Sequence, residues 1–159
     1  MRTLILLRHA HAEPVSDGQA DVDRALSAEG LAEAEAAGRW LSAQGLVPDR
    51  VLCSPARRTR ETLEAVLGNG VGFVEQRLVD AIYEATAGAL AELVDEHHDV
   101  ERLMLVGHNP GLERLAALMH SGQSGDYRGM PPGSVVVLDF PTDAAVEPGV
   151  ASLSAFWWP

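Results

Sequence analysis

Residues 3–14 read TLILLRHAHAEP, and the parsing of this stretch decides the fold. Leu4, Ile5, Leu6 and Leu7 form an unbroken apolar run, which predicts a buried strand over Thr3–Leu7. Arg8 and His9 follow at once, with His11 and Glu13 close behind. A chain that passes from core to cation in one step carries polar chemistry at the end of a strand.

Two further apolar runs lead into residues of the same kind. RVLC (50–53) opens onto SPARRTR (54–60), and RLMLVG (102–107) opens onto His108. Helical periods lie between them. Ser27 is the expected N-cap of a helix over Ala28–Gln44 that buries Leu31, Ala34, Gly38 and Leu41 and stops at Gly45. Ser54 is expected to cap, and Pro55 to open, a helix ending at Gly68. VGFVEQ (71–76) reads as a short strand. A helix over Ala87–His97 is expected to bury Leu90, Leu93 and Val94. The helix opened by Asn109-Pro110 presents Leu112, Leu115, Ala116 and Met119. SGQSGDYRGMPPG (121–133) reads as a loop. SVVVLDF (134–140) and VASLSAFWW (150–158) read as an antiparallel terminal strand pair, with Trp157 and Trp158 as core contacts. This alternation predicts an α/β architecture.

Composition bounds the function. The 159 residues suit one domain with its own core, and 47% apolar with 22% charged residues excludes a disordered chain. No apolar run approaches the roughly 18 residues of a membrane span, and MRTLILLRH is too short, and lacks the cleavage site, for a signal peptide. Cys53 alone forms no internal disulfide and fits a reducing, cytoplasmic setting. A formal charge of −11 argues against nucleic acid, whose phosphates need clustered cations. The expectation is a cytoplasmic protein with neither nucleic-acid nor membrane partners. It can bind an anion only where its few cations gather.

They gather at strand ends. If the three strands are parallel neighbours, Arg8-His9, the Ser54–Arg60 stretch and His108 converge on one crevice beyond the sheet. Arg57, Arg58 and Arg60 fall in the first two turns of a helix, where a cation costs up to about 1 kcal/mol against the dipole. An anion at that helix start removes the anomaly, and dianionic phosphate is the natural guest. Each residue also has a bland reading. A histidine at a strand end is more often structural, and one or two of the arginines are expected to be solvated or paired with Glu61 or Glu64. His97, His98 and His120 lie at helix ends that favour positive charge and are taken as structural. His9-x-His11 has the spacing of a metal pair, but no Cys or carboxylate cluster completes it, so neither metal nor cofactor is expected. GNGVG (68–72) lacks the following helix that a dinucleotide site needs.

Taken together, LLRHAHAEP (6–14), CSPARRTRET (53–62) and VGHNPGLERLA (106–116) resemble the histidine phosphatase superfamily, in particular its small bacterial phosphohistidine phosphatase branch. The three blocks come in the family's order and spacing over nearly the whole chain. DVDRALSAEG (21–30) matches the branch's Asp-x-x-Arg-x-Leu-Ser/Thr-x-x-Gly region. The long subdomain that many larger relatives insert after the second block is missing. The resemblance implies one histidine phosphatase domain over 1–159. Its fold would be phosphoglycerate mutase-like: a mostly parallel central sheet, helices on both faces and a C-terminal antiparallel pair.

The resemblance further implies that His9 is the nucleophile, that Arg8 and Arg58 bind the phosphoryl group, and that His108 is the second active-site histidine. Arg57 is left as a neighbour without an assigned role. Ala10 stands where the superfamily often has glycine. Many members carry a general-acid glutamate after the third strand; in LVDAIYEAT (78–86) Glu84 and Asp80 are both candidates, and neither matches cleanly. The implied activity is that of a metal-independent phosphatase working through a covalent phosphohistidine enzyme. An alkoxide leaving group needs a strong acid, whereas a phosphorylated imidazole departs neutral once its other nitrogen is protonated. An unclear acid therefore favours phosphohistidine on a protein as the substrate. A phosphomonoesterase for a small ester, such as a sugar phosphate or nucleotide, is the alternative. A non-catalytic phospho-ligand module is the third reading.

Overall fold

The computed structural model describes residues 1–72, 74–125 and 129–159. Along the chain run β1 (Thr3–Arg8), α1 (Ala28–Ala43), β2 (Arg50–Cys53), α2 (Arg57–Val66), β3 (Glu75–Leu78), α3 (Ala87–Glu96), β4 (Arg102–Gly107), α4 (Gly111–Ser121), β5 (Val135–Asp139) and β6 (Ser152–Trp157). The six strands form one sheet in the order β3-β2-β4-β1-β5-β6. The first four are mutually parallel, while β5 and β6 run antiparallel.

Leu4, Ile5, Leu6 and Leu7 are all fully inaccessible because helices cover both faces of the sheet. Leu4 and Leu6 share a cluster with Leu90 of α3 and Leu112 of α4. Ile5 and Leu7 share another with Leu41 of α1 and Leu63 of α2. The period of two along a strand makes this partition, and burying each such side chain contributes roughly 1.5–3 kcal/mol. The polar cargo is held in place by the same packing. β2, β4 and β1 are adjacent, with Cys53 level with Val106 and Arg8 level with Gly107. Their carboxyl ends therefore open on one side of the molecule.

Several boundaries and faces differ from expectation. Leu31 is 47% exposed, and α1 packs instead through Gly30, Ala34, Ala37, Gly38 and Leu41. The cause is a close approach: a Cβ on Gly30 would sit 1.9 Å from the His11 carbonyl oxygen, which fixes the helix's rotation and turns Leu31 outward. α2 starts at Arg57, not at Pro55, because Ala56 is still extended (φ −57, ψ 142). Ser54 does not cap it; its hydroxyl faces His108 instead. Nor does Gly68 end it. The helix gives way to a wide turn over Leu67–Val71, and the left-handed residues that reverse the chain are Gly70 and Gly72. β3 accordingly begins only at Glu75, and Phe73 lies outside the described residues. Leu93 is half-buried rather than core. Residues 126–128 of the expected 121–133 loop also lie outside the described residues. At the C-terminus Trp157 stacks on Trp40 (centroids 5.6 Å apart), but Trp158 is 57% exposed, because pairing with β5 ends at Val135–Trp157. No helix among the described residues is long and apolar enough to cross a membrane.

Candidate active site

The end of β1 is gripped from both neighbouring strands. His9 N–H donates to the Gly107 carbonyl (3.1 Å), and Arg8 N–H donates to the Ser134 carbonyl (3.1 Å). Ala10, where glycine is frequent in the family, is fully buried and donates its N–H to Thr62 Oγ1 of α2 (3.0 Å). This fixed backbone aims the His9 ring. Its Nδ1 donates to the Ala10 carbonyl oxygen (2.7 Å), so the lone pair resides on Nε2. Burial, reinforced by the charges of Arg58, Arg8 and Arg24, lowers the His9 pKa to about 4. At neutral pH the residue is an uncharged imidazole in one tautomer.

His108, just past β4, has its ring centroid 5.3 Å from that of His9. Its Nδ1 accepts from Arg58 Nη2 (3.3 Å), which puts the proton on Nε2 for donation to Ser54 Oγ (2.7 Å). Burial, then Arg58, depresses its pKa to about 3. Both nitrogens of the neutral ring are thus committed, and His108 can give an anion a proton only after gaining a second one.

The two arginines are anchored from behind. Arg8 donates Nη1 to the Met130 carbonyl (2.8 Å). That carbonyl also accepts from Asn109 Nδ2 (2.9 Å), and Glu113 Oε2 takes both Asn109 Nδ2 (3.0 Å) and Met130 N–H (3.2 Å). Arg58, 6% exposed, donates Nη1 to the Asp21 carbonyl (2.9 Å) and Nη2 to Asp21 Oδ2 (3.0 Å). The Nε–H groups of Arg8 and Arg58, like that of Arg50 at the other end of β2, are buried with no aligned acceptor among the described residues. Buried donors without partners are uncommon and costly, and the charges of Arg8 and Arg58 both act on His9.

Residue by residue, the four expected groups Arg8, His9, Arg58 and His108 lie together. Glu84, in the left-handed region (φ 57), lines a cavity of about 540 Å³ together with Arg58, His108 and Tyr83. Asp80, exposed on a short 3-10 turn, does not line it. Arg57 is exposed and pairs with Glu61 (3.4 Å), and Arg60 Nε returns to the Pro55 carbonyl. His11 turns to Ser27 Oγ (2.6 Å), His97 accepts from Arg50, and His98 bonds the Asp95 carbonyl. Among the described residues no three His, Cys, Asp or Glu side chains are grouped to hold a metal.

Three site residues escaped sequence reasoning: Asp21, Tyr83 and Ser54. Asp21 accepts from Arg58, from Arg24 (3.1 Å) and from the Tyr83 hydroxyl (2.5 Å). The Tyr83 bond first, and then the arginines, hold its carboxyl down at about 2. Tyr83 also stands edge-on to His108 (5.4 Å). A signal existed in DVDRALSAEG. Arg24 pairs with Asp21, Ser27 caps α1 at Gly30 N–H (3.0 Å), and Gly30 admits the His11 backbone. Every defined position of that pattern except Leu26 thus has a contact that explains it, and Leu26 N–H is held by Glu61 (2.9 Å).

The chain belongs to the histidine phosphatase superfamily, whose branch 1 model matches residues 4–101. It is 35% identical over 162 residues to an uncharacterized protein of Mycobacterium tuberculosis (strain H37Rv), covering 96% of this chain and 99% of that one. It is 36% identical over 133 residues to an uncharacterized chloroplastic protein of Arabidopsis thaliana, covering 77% of this chain but only 61% of that relative's length. Among solved structures it is similar to a candidate phosphohistidine phosphatase, SixA, from Agrobacterium tumefaciens. The TM-score is 0.85 at 30% identity, over 99% of this chain and 98% of that one.

Proposed function

We propose that residues 1–159 act as one phosphohistidine phosphatase domain with His9 as nucleophile. The observation that carries this reading is a neutral His9, its Nε2 lone pair uncommitted among the described residues, with its ring 5.3 Å from that of His108 and close enough to Arg8 and Arg58 to feel both charges. The candidate identity of the Agrobacterium relative supports it.

In the first step His9 Nε2 attacks phosphorus in line. A bond from Nε2 to phosphorus forms while the bond from phosphorus to the substrate's imidazole nitrogen breaks, and that imidazole leaves neutral, protonated on its other nitrogen. Water then attacks the phosphoenzyme, releasing inorganic phosphate and restoring His9. The phosphoryl oxygens carry the developing charge, so preorganised guanidinium forks supply much of the rate. A bound dianion stabilises the protonated form of His108, which adds a second N–H donor to the pocket.

The test compares turnover of a phosphohistidine protein with that of small phosphate esters, with His9→Ala as the blank. Preference for the protein, with a phosphoenzyme trapped in wild type alone, supports the reading; strong preference for a small ester defeats it. That second reading, a small-ester phosphomonoesterase, draws on one observation: Glu84 reaches the cavity beside Arg58 and His108 and could serve as the acid.

A further inference from the structure

We propose that the Asp21 carboxylate is the counter-charge that limits how tightly, and for how long, an anion stays on Arg58. It thereby governs product release, not the position of the guanidinium. The inference rests on the site being a phosphoryl pocket. Arg58 is located without the carboxylate's charge: Nη1 is held by the main-chain carbonyl of Asp21 (2.9 Å), Nη2 reaches His108 Nδ1 (3.3 Å), and the side chain is almost wholly buried. What the carboxylate adds is one negative charge directly on Nη2. An incoming dianion competes with it for that nitrogen and is repelled by it at short range.

Two neighbours keep this charge in place. The Tyr83 hydroxyl donates to Oδ2 and Arg24 pairs with Oδ1, so the carboxylate neither swings away nor protonates near neutrality. The other charges nearby do not take over this role. Glu84 and Arg114 line the cavity with Arg58 and Asp21, and Glu84 makes no ion pair among the described residues; Glu113 and Glu33 act on Arg8, and His9 and His108 are neutral. Inorganic phosphate left between two arginines in such a pocket would dissociate slowly. Asp21 is the group placed to weaken that hold.

The experiment measures binding of inorganic phosphate at pH 7.5 by calorimetry and its release by competition kinetics. Proteins compared are the wild type and the variants Asp21→Asn, Asp21→Ala, Asp21→Glu and Arg58→Gln. Wild type should bind phosphate and Arg58→Gln should weaken it about tenfold or more. If wild type ignores phosphate, or Arg58→Gln binds it equally well, the pocket reading itself falls. With that control met, both charge-removing variants should bind phosphate about five- to tenfold more tightly, through slower release. Asp21→Glu, which keeps the charge, should stay within about twofold of wild type. Equal or weaker binding by Asp21→Asn and Asp21→Ala overturns the proposal and makes Asp21 a positioning residue for Arg58. Asp21 is half-exposed on a short turn, and two independent substitutions guard against one that misfolds.

Discussion

A buried arginine flanks β2 at either end, and the two could hardly be treated more differently. Arg50 opens the strand and is 8% exposed; Arg58, just beyond the strand's other end, is 6% exposed. Arg50 meets both oxygens of Asp99 (2.9 and 3.1 Å), lies 3.2 Å from Glu75 through Nε, and meets His97 through Nη1. Two carboxylates answer one cation. Among the described residues Arg58 has a single carboxylate, which it shares with Arg24 and Tyr83; the Nε–H of neither arginine has an aligned acceptor, but that of Arg50 lies against Glu75. Burial is the same at both ends; electrostatic satisfaction is not. In a chain with 23 acidic residues to 12 basic ones, all arginine, shortage of counter-charge at one place is a specific arrangement, and it fits the ligand site proposed above.

The sharpest way to break this contrast is to remove the group that the unsatisfied end serves. His9→Ala should lower turnover of any substrate by about a thousandfold or more and abolish the trapped phosphoenzyme, while inorganic phosphate binding survives. Retained turnover would make the site a binding pocket or move the nucleophile elsewhere.

Next come the arginines themselves. Arg58→Gln should reduce kcat/KM by about 10²–10³-fold with little change in thermal midpoint, since a transition-state donor is lost. Arg50→Gln should do the opposite, lowering the midpoint by a few degrees with kcat/KM unchanged, because it removes the two-point bond to Asp99 and the packing of a buried side chain. Equal effects of the two would erase the distinction. For esters alone, Glu84→Gln should cost about 10²-fold if that carboxyl is the acid, with phosphohistidine turnover within about threefold. Loss of both would assign the acid to both reactions.

The pH dependence sharpens the same comparison. His9 and His108 are depressed to about 4 and about 3 in the fold, against the ordinary value near 6.5. In the window between, the unfolded chain binds protons that the folded chain refuses, so these groups favour folding above about pH 6.5 and lose that contribution as pH falls toward 4 and then 3. An NMR titration should therefore find both rings neutral at pH 6. In Arg58→Gln both should titrate higher, as a repelling cation is gone, yet below 6.5 because burial remains the larger cause. Arg50→Gln should leave both unmoved. An unperturbed His9 titration in wild type would remove the basis for a ready nucleophile at neutral pH.

How much of this was legible beforehand follows from range. The Leu4–Leu7 run and the three strand-end blocks are local signals, so the strands and a convergence of Arg8-His9, the Ser54–Arg60 stretch and His108 on parallel neighbours could be expected from residue order, whereas the choice of Arg58 among three arginines came from the family resemblance. Ser54 was misread because a serine before proline resembles a cap, and only the neighbouring strand supplies the competing partner, His108. Asp21 and Tyr83 act across 62 residues of sequence, and no local pattern reports that bond. Leu31 had the right spacing for the core but lost to a backbone contact at Gly30 that a periodicity cannot represent.

The smallest expected effect tests the other side of the arginine cluster. Arg57 precedes Arg58, shares its helix turn and its charge, yet its side chain is half-exposed and pairs with Glu61 one turn on. An exposed pair of this spacing contributes about 0.3–0.5 kcal/mol, and it directs the Arg57 guanidinium to Glu61. Arg57→Gln should thus keep kcat/KM within about twofold and shift stability by less than about 0.5 kcal/mol. Activity loss approaching that of Arg58→Gln would mean that positive charge near the helix start, not a fixed fork, binds the phosphoryl group. The contrast drawn between satisfied and unsatisfied guanidiniums would then rest on proximity alone.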